Sequence, residues 1–471
     1  MNSTFYAGAA ARNIVPSPEL VNNSLHANMT VHFDEPGSPL QVKALVLRFN
    51  ERDRMLVAVD SVGISRSHCG ILRQALAEAT EIPTQDIVIS SSHSHSTPFL
   101  EPLAQPHPYF DFITKKAVEA AVEACKVRRK ARIGNAVTHV VGASFNTRVP
   151  LSNGGVKFTR DFREGLASGR PIDPRLNIVR IDDESGRPIA GWVRFAAHPA
   201  CVIFNAPISA EYPGYLTDRL SETVTGGAPV LYAYGASGDV NCIPMFGKES
   251  DAAKLGVSLA NLAAPAFEQI QTRAPERFLS GSQEIKLPLD PVPTFETLDR
   301  EIEEVRAFSA GLDRDPSLEW LLGVNLKKDW SVEAKKAYVA PLGDWSQLMK
   351  QAIKSGRTFP STWPIEVTSW IVDELGIVFY GGEPFAELGL GLAARSPLPT
   401  TLLVAMSNGC DAYLGTDEDR RRGGYELYTS PRYSKLAEET RPLPYALGAG
   451  ECLLRDSITL IKSLLEDRGA A

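Results

Sequence analysis

Two histidines, His93 and His95, stand two residues apart in the stretch Ile87-Val88-Ile89-Ser90-Ser91-Ser92-His93-Ser94-His95-Ser96-Thr97-Pro98. The β-branched run before them reads as a buried strand. The pair therefore falls just past a strand's carboxyl end, where α/β sheets bind ligands. Imidazole is the usual zinc ligand, and the whole chain holds eight histidines. Two readings fit this concentration: a metal site, or a polar loop whose histidines bond to neighbouring serines. Further along, His198 follows the apolar run of Phe195-Ala196-Ala197-His198-Pro199, Glu383 follows two glycines after the run 370–380, and Tyr413 follows the strand-like run 400–406. Two histidines, a carboxylate and an open position suit a catalytic zinc, which lowers the pKa of bound water towards about 7 and polarises a carbonyl. A serine-nucleophile reading fits less well, because Ser237 in Gly235-Ala236-Ser237-Gly238 misses the Gly-x-Ser-x-Gly elbow by one residue.

The elements that must position these residues read as alternating strands and helices. Strand-like runs at 42–49 and 55–59 flank the turn Asn50-Glu51-Arg52-Asp53. A helix is expected over 67–80 with Leu72 and Leu76 on one face, and another over 112–129 with Val118, Val122 and Cys125 at helical spacing. Asp60, just past a strand, reads either as support for a metal ligand or, preferably, as a helix cap. Strands at 175–181 and 189–197 precede His198, and a strand at 229–234 precedes Gly235-Ala236-Ser237-Gly238-Asp239-Val240-Asn241. That glycine-rich turn either cradles a ligand or is simply tight. It is no phosphate loop, since no Gly-Lys-Ser/Thr follows. Between about 290 and 365 the character changes to Pro-rich sequence and mixed-charge helices, read as a helical insertion without chemistry of its own. No internal repeat appears. Because the candidate set runs from His93 to Tyr413, both ends of the chain must close one site. The expected architecture is α/β: one large catalytic domain over residues 1–471, with mixed β-sheets flanked by helices and the 290–365 insertion.

Composition narrows the function classes. With 471 residues, 44% of them hydrophobic, the chain can bury a large core. Forty-nine Lys and Arg against 56 Asp and Glu leave a net charge of −7, with no basic stripe to suggest nucleic acid as a partner. Six scattered cysteines form no CxxC pattern. No apolar run approaches the ~18 residues of a membrane span, and the first twenty residues carry no secretory pattern. A cytoplasmic protein acting on a small molecule, without a membrane partner, is the expectation. Oligomeric state is not legible.

Five segments resemble the neutral, non-lysosomal ceramidases and their bacterial relatives: Ser92-His93-Ser94-His95-Ser96, Phe195-Ala196-Ala197-His198-Pro199, Gly238-Asp239-Val240-Asn241, Gly382-Glu383-Pro384-Phe385, and Tyr413 with Tyr425. They occur in the family's order from about Phe5 to the C-terminal helix. The resemblance implies one zinc ion held by His93, His198, Glu383 and Tyr413. It implies that His95 contacts substrate beside the metal, and that Arg148 (in Asn146-Thr147-Arg148) and Tyr425 hold the substrate's amide or hydroxyls. It implies hydrolysis of an amide by metal-activated water.

The sequence departs from the family pattern where a catalytic serine is expected: Asn241 stands there, followed by Cys242. Asparagine is no nucleophile, but its amide can donate to an oxyanion. The chain is expected to stop after the catalytic domain. With no secretory signal, the expected substrate is a smaller, more polar amide, ester or lactone than membrane ceramide. Three alternatives stay open: a ceramidase acting on sphingolipid, a metal- and ligand-binding pseudoenzyme, and an unrelated barrel amidohydrolase. The last wants a further lysine or histidine pair and a late aspartate at strand ends, a pattern not found here.

Overall fold

A computed structural model describes residues 4–21, 31–33, 37–100, 108–203, 206–434, 436 and 440–466. Twelve strands carry the fold. Eight form one mixed sheet: β1 (Phe5–Asn13), β2 (Gln41–Phe49), β3 (Arg52–Val59), β4 (Ile87–Ser91), β5 (Arg129–His139), β6 (Arg175–Asp183), β7 (Pro188–Phe195) and β8 (Val230–Tyr234), in spatial order 8-7-6-5-1-2-3-4. Four more, β9 (Phe278–Pro288), β10 (Thr362–Val372), β11 (Leu375–Tyr380) and β12 (Thr400–Val404), form a second sheet in chain order.

The long helices are α1 (Arg66–Thr80), α2 (Pro108–Lys126), α3 (Glu211–Thr223), α4 (Glu249–Gln269), α5 (Phe295–Leu312), α6 (Val332–Lys354), α7 (Ala386–Arg395) and α8 (Ala449–Glu466). The sheets pack face to face. Leu45, Leu56, Val88, Trp192 and Leu231 of the large sheet meet Trp370, Ile377, Phe379 and Leu402 of the small one. The large sheet's other face lies under α1 to α4. The small sheet's far face lies under α6, α7 and α8, through residues such as Trp345, Leu392 and Leu454. Covering both faces explains why strands such as β8 and β11 are buried at every position and apolar almost throughout. This is an α/β fold of mixed sheets flanked by helices.

Although the sequence shows no repeat, the topology repeats three times. In β1–β4, β5–β8 and β9–β12 alike, the first three strands pair antiparallel and the fourth pairs parallel with the third. A helix (α1, α3 or α7) joins third to fourth, as a parallel pair requires, and a helix (α2, α4 or α8) follows the fourth. The connections differ most in length between the first and second strands and, in the third unit, between the fourth strand and its following helix. In the third unit the former connection carries α5, α6 and the small hairpin of Trp320–Leu321 with Val324–Asn325. The strand ends of the units also meet one another: Ser91 N donates to Met406 O, Ala405 N to Tyr234 O, and Asn408 N to Ile89 O.

Candidate metal centre and substrate cavity

Each unit sends one side chain to a common point. His93 leaves β4 two residues past its end, in a left-handed backbone conformation (φ 63°), with its amide bonded to Ser61 O. His198 leaves β7; its amide bonds to Val240 O, and its backbone bridges Asn241. Glu383 leaves β11 and lies opposite Tyr413 in a two-residue parallel ladder. His93 Nε2 and His198 Nε2 are 3.1 Å apart, and Glu383 Oε2 lies 3.2 Å from the first and 3.1 Å from the second. His95 Nε2 joins them at 3.4 Å from His93 Nε2.

The donor chemistry fits a cation. His93 Nδ1 faces Val62 O at 2.5 Å, and His198 Nδ1 faces Ser237 O at 2.8 Å. A ring nitrogen facing a carbonyl oxygen must carry the proton, so in each neutral ring Nε2 presents a lone pair. Two lone pairs and a carboxylate oxygen then converge, a repulsive arrangement that a cation between them turns into attraction. Four ligands about 2.0–2.1 Å from a tetrahedral zinc stand about 3.3 Å from one another, and the observed spacings match. The backbone carbonyls behind the rings are the supports that fix imidazole orientation in metal sites. Tyr234, the last residue of β8, adds its hydroxyl 2.9 Å from His198 Nδ1 and packs its ring 4.6 Å from that of His93.

Burial pushes the carboxyl of Glu383 up, but positive charge at His93 and His198, which protonated rings supply where no cation sits between them, outweighs it and holds the group well below the usual carboxylate range. Burial, and then the charge of Glu383, hold the Tyr413 phenol well above its ordinary value. Tyr413 stacks on His198, with ring centres 6.3 Å apart and an interplanar angle of 28°. Gly238 permits this closure. A Cβ there would lie 2.5 Å from Glu383 O and 3.1 Å from the Tyr413 ring, so the glycine-rich turn is built for backbone approach.

A cavity of about 440 Å³ opens over the cluster. His93, His95, His198, Glu383, Asn241, Tyr413 and Tyr425 all line it. The carboxamide oxygen of Asn241 is buried without a hydrogen-bond partner among the described residues. Apolar walls come from Phe99, Ile203, Met245, Phe246, Trp363 and Ile365.

Two sequence expectations need correction. Arg148 does not line the cavity. It is buried, its Nη1 pairs with Glu426 Oε2, and its Nη2 donates to Gly423 O at 2.8 Å. It fixes the segment that carries Tyr425 instead of clamping substrate. Asp60 does not cap α1; Ser65 does, accepting from His68 N, while Asp60 Oδ2 accepts from Gln41 N.

Three contributors escaped the sequence reading. Tyr234 sits inside an apolar run and looks like any core aromatic. Arg160 lines the cavity from two residues past the short strand Val156–Phe158. Val324, Trp330 and Tyr338 bring the helical insertion into the cavity wall, and Asn325 bonds both backbone groups of Phe158, at 2.9 and 2.7 Å.

No protein-family model matches the chain. Neutral ceramidase B of Dictyostelium discoideum is 27% identical to it over 275 residues, which is 51% of this chain and 36% of that protein. Neutral ceramidase A of the same organism is 26% identical over 230 residues, 41% of this chain and 31% of that one. The matched stretch is thus well under half the length of either relative. Among solved structures, the neutral ceramidase from Pseudomonas aeruginosa superposes with a TM-score of 0.67 at 15% identity, covering 98% of this chain and 75% of its own. A ceramidase complexed with C2 gives 0.67 at 14% identity, covering 99% and 76%. By sequence over half its length and by fold over nearly all of it, this chain is a relative of the neutral ceramidases.

Proposed function

We propose that the protein is a zinc-dependent hydrolase of a carbon–nitrogen amide bond. The observation that carries the reading is the convergence of His93 Nε2, His198 Nε2 and Glu383 Oε2 within 3.1–3.2 Å of one another, beneath an apolar cavity. These three and Tyr413 would hold the metal. When bound, zinc supplies Lewis-acid polarisation of a carbonyl and lowers the pKa of a water. His95, its Nε2 at the edge of the cluster, is suited to take the proton of an attacking water and return it to the leaving amine. The Asn241 carboxamide and the Tyr425 phenol face the cavity as donors to a carbonyl oxygen that gains charge. Burial first, then neighbouring phenol and carboxylate charges, keep Tyr425 protonated, as a donor must be.

The apolar walls favour an acyl chain on the carbonyl side, so N-acyl compounds are the substrate class. Ceramide itself is a second reading, favoured by the similarity to neutral ceramidases; a soluble N-acyl amine is the first. Hydrolysis of short N-acyl amines by zinc-loaded protein, lost in Glu383→Gln, is the expected result. Metal-loaded protein inert towards amides, esters and lactones alike, yet still binding N-acyl ligands, would support the pseudoenzyme instead.

A further inference from the structure

Four carboxylates line the cavity: Glu366, Glu383, Asp411 and Glu426. Each has a cationic or imidazole partner. Glu366 pairs with Arg73 at 2.6 Å, Asp411 with Arg441 at 3.5 Å, Glu426 with Arg148, and Glu383 with the histidines. Arg160 lines the same cavity with no ion pair among the described residues; Asp329 adds only a Coulombic pull from beyond contact distance. Its Nε is buried without a hydrogen-bond partner among the described residues. Its guanidinium stands instead among three rings, 5.1 Å from the centre of Phe158, 5.7 Å from Phe246 and 5.9 Å from Trp330. Lys327 places a second ammonium 4.3 Å from the Phe246 ring. Aromatic faces hold a guanidinium in place without consuming its donors, so the two terminal Nη groups stay available for a bidentate acceptor.

The position is continuous with the reaction centre. Phe158 contacts Tyr425 edge-on at 6.4 Å, Tyr425 contacts Tyr413 at 6.1 Å, and Tyr413 stacks on His198. Asn325 anchors the Phe158 backbone to the helical insertion, which makes the insertion part of the subsite.

We propose that Arg160 recognises an anionic group, a carboxylate or a phosphate, on the substrate's amine-side portion, so that the enzyme prefers charged N-acyl compounds to neutral ones. This rests on the amide-hydrolase reading above. The apolar walls then take the acyl chain, and the anion lies on the Tyr425 side of the cavity.

The test compares N-hexanoylglycine and N-hexanoylethanolamine phosphate with the uncharged N-hexanoylpropylamine and N-hexanoylethanolamine. Turnover is measured on zinc-loaded wild type, Arg160→Gln and Arg160→Lys. A charge-assisted bond of this kind favours the anionic partner roughly tenfold to a hundredfold in kcat/KM. Arg160→Gln is expected to bring the charged-to-neutral ratio close to one, and Arg160→Lys to restore part of it. Preference for the glycine compound alone, or for the phosphate alone, identifies which anion fits. Binding of N-hexanoylglycine, followed by calorimetry, separates this proposal from the functional one. If no amide is cleaved but Arg160→Gln weakens binding tenfold or more, the hydrolase reading fails and the anion subsite stands. Equal affinity of wild type and variant, or a charged-to-neutral ratio unaffected by the substitution, overturns the subsite.

Discussion

Glu383 lies directly opposite Tyr413 in a parallel ladder of two residue pairs, and Gly238 packs against the backbone of the first and the ring of the second. The closeness of that packing is testable. Gly238→Ala forces a methyl to 2.5 Å from Glu383 O, and overpacking of this kind costs about 1–3 kcal/mol. The expected outcome is a lower Tm together with weaker zinc binding, because the two paired strands that Gly238 packs against each carry one of the four proposed ligands. Loss of stability with unchanged zinc affinity would separate Gly238 from the metal centre.

His93 and His95 separate by experiment. If His95 handles protons and His93 holds metal, His95→Ala keeps its zinc and loses roughly 100- to 10,000-fold in kcat, whereas His93→Ala loses the zinc. The geometry brings the His95, His93 and His198 ligand atoms within 4.8 Å of one another. Zinc lost equally from both variants would therefore enrol His95 as a ligand.

Arg148 is a buried partner of Glu426, so Arg148→Met leaves an uncompensated charge and costs about 3–5 kcal/mol of stability. Arg148→Met with Glu426→Gln recovers part of that loss, as denaturant titration will read. A substrate clamp would behave differently: KM would rise with little change in the unfolding midpoint.

Asp60 gives a pH signature of its own, outside the proposed ligand set. Burial raises its pKa to about 6, against the opposing pull of Lys43 and of the hydrogen bond from the Gln41 amide. The folded state thus holds this proton more tightly than the unfolded chain, where an aspartate titrates near 3.8. Its stabilising contribution is full below about pH 4 and is lost as pH rises through about 6. Asp60→Asn should flatten the stability curve between those limits, measured by urea unfolding at stepped pH. An unchanged slope would contradict the assignment.

What the sequence disclosed followed from local rules. Strands β4, β7, β8, β11 and β12 were legible because β-branched and aromatic runs stop abruptly at glycine, serine or histidine, and the same stops located His93, His198, Glu383 and Tyr413. Long-range pairing was not legible. Arg148 meets Glu426 across 278 positions, so nothing near Arg148 distinguishes a buried ion pair from a substrate clamp. Asp60 looked like a cap because a helix follows, yet α1 begins at Arg66 and a cap must sit immediately before it. The threefold β-β-β-α-β-α repeat escaped notice because strand pairing defines it, not residue identity. Arg160 gained meaning only once Asn325 of the insertion bound the Phe158 backbone beside it.

Metal content tests the central claim most directly. Elemental analysis of purified wild type, His93→Ala and Glu383→Gln, with folding checked by circular dichroism, should find close to one zinc per wild-type chain and far less in both folded variants. Wild-type protein that takes up no zinc on reconstitution, or folded variants that retain it at wild-type level, would contradict the assignment of His93, His198, Glu383 and Tyr413 as a metal centre.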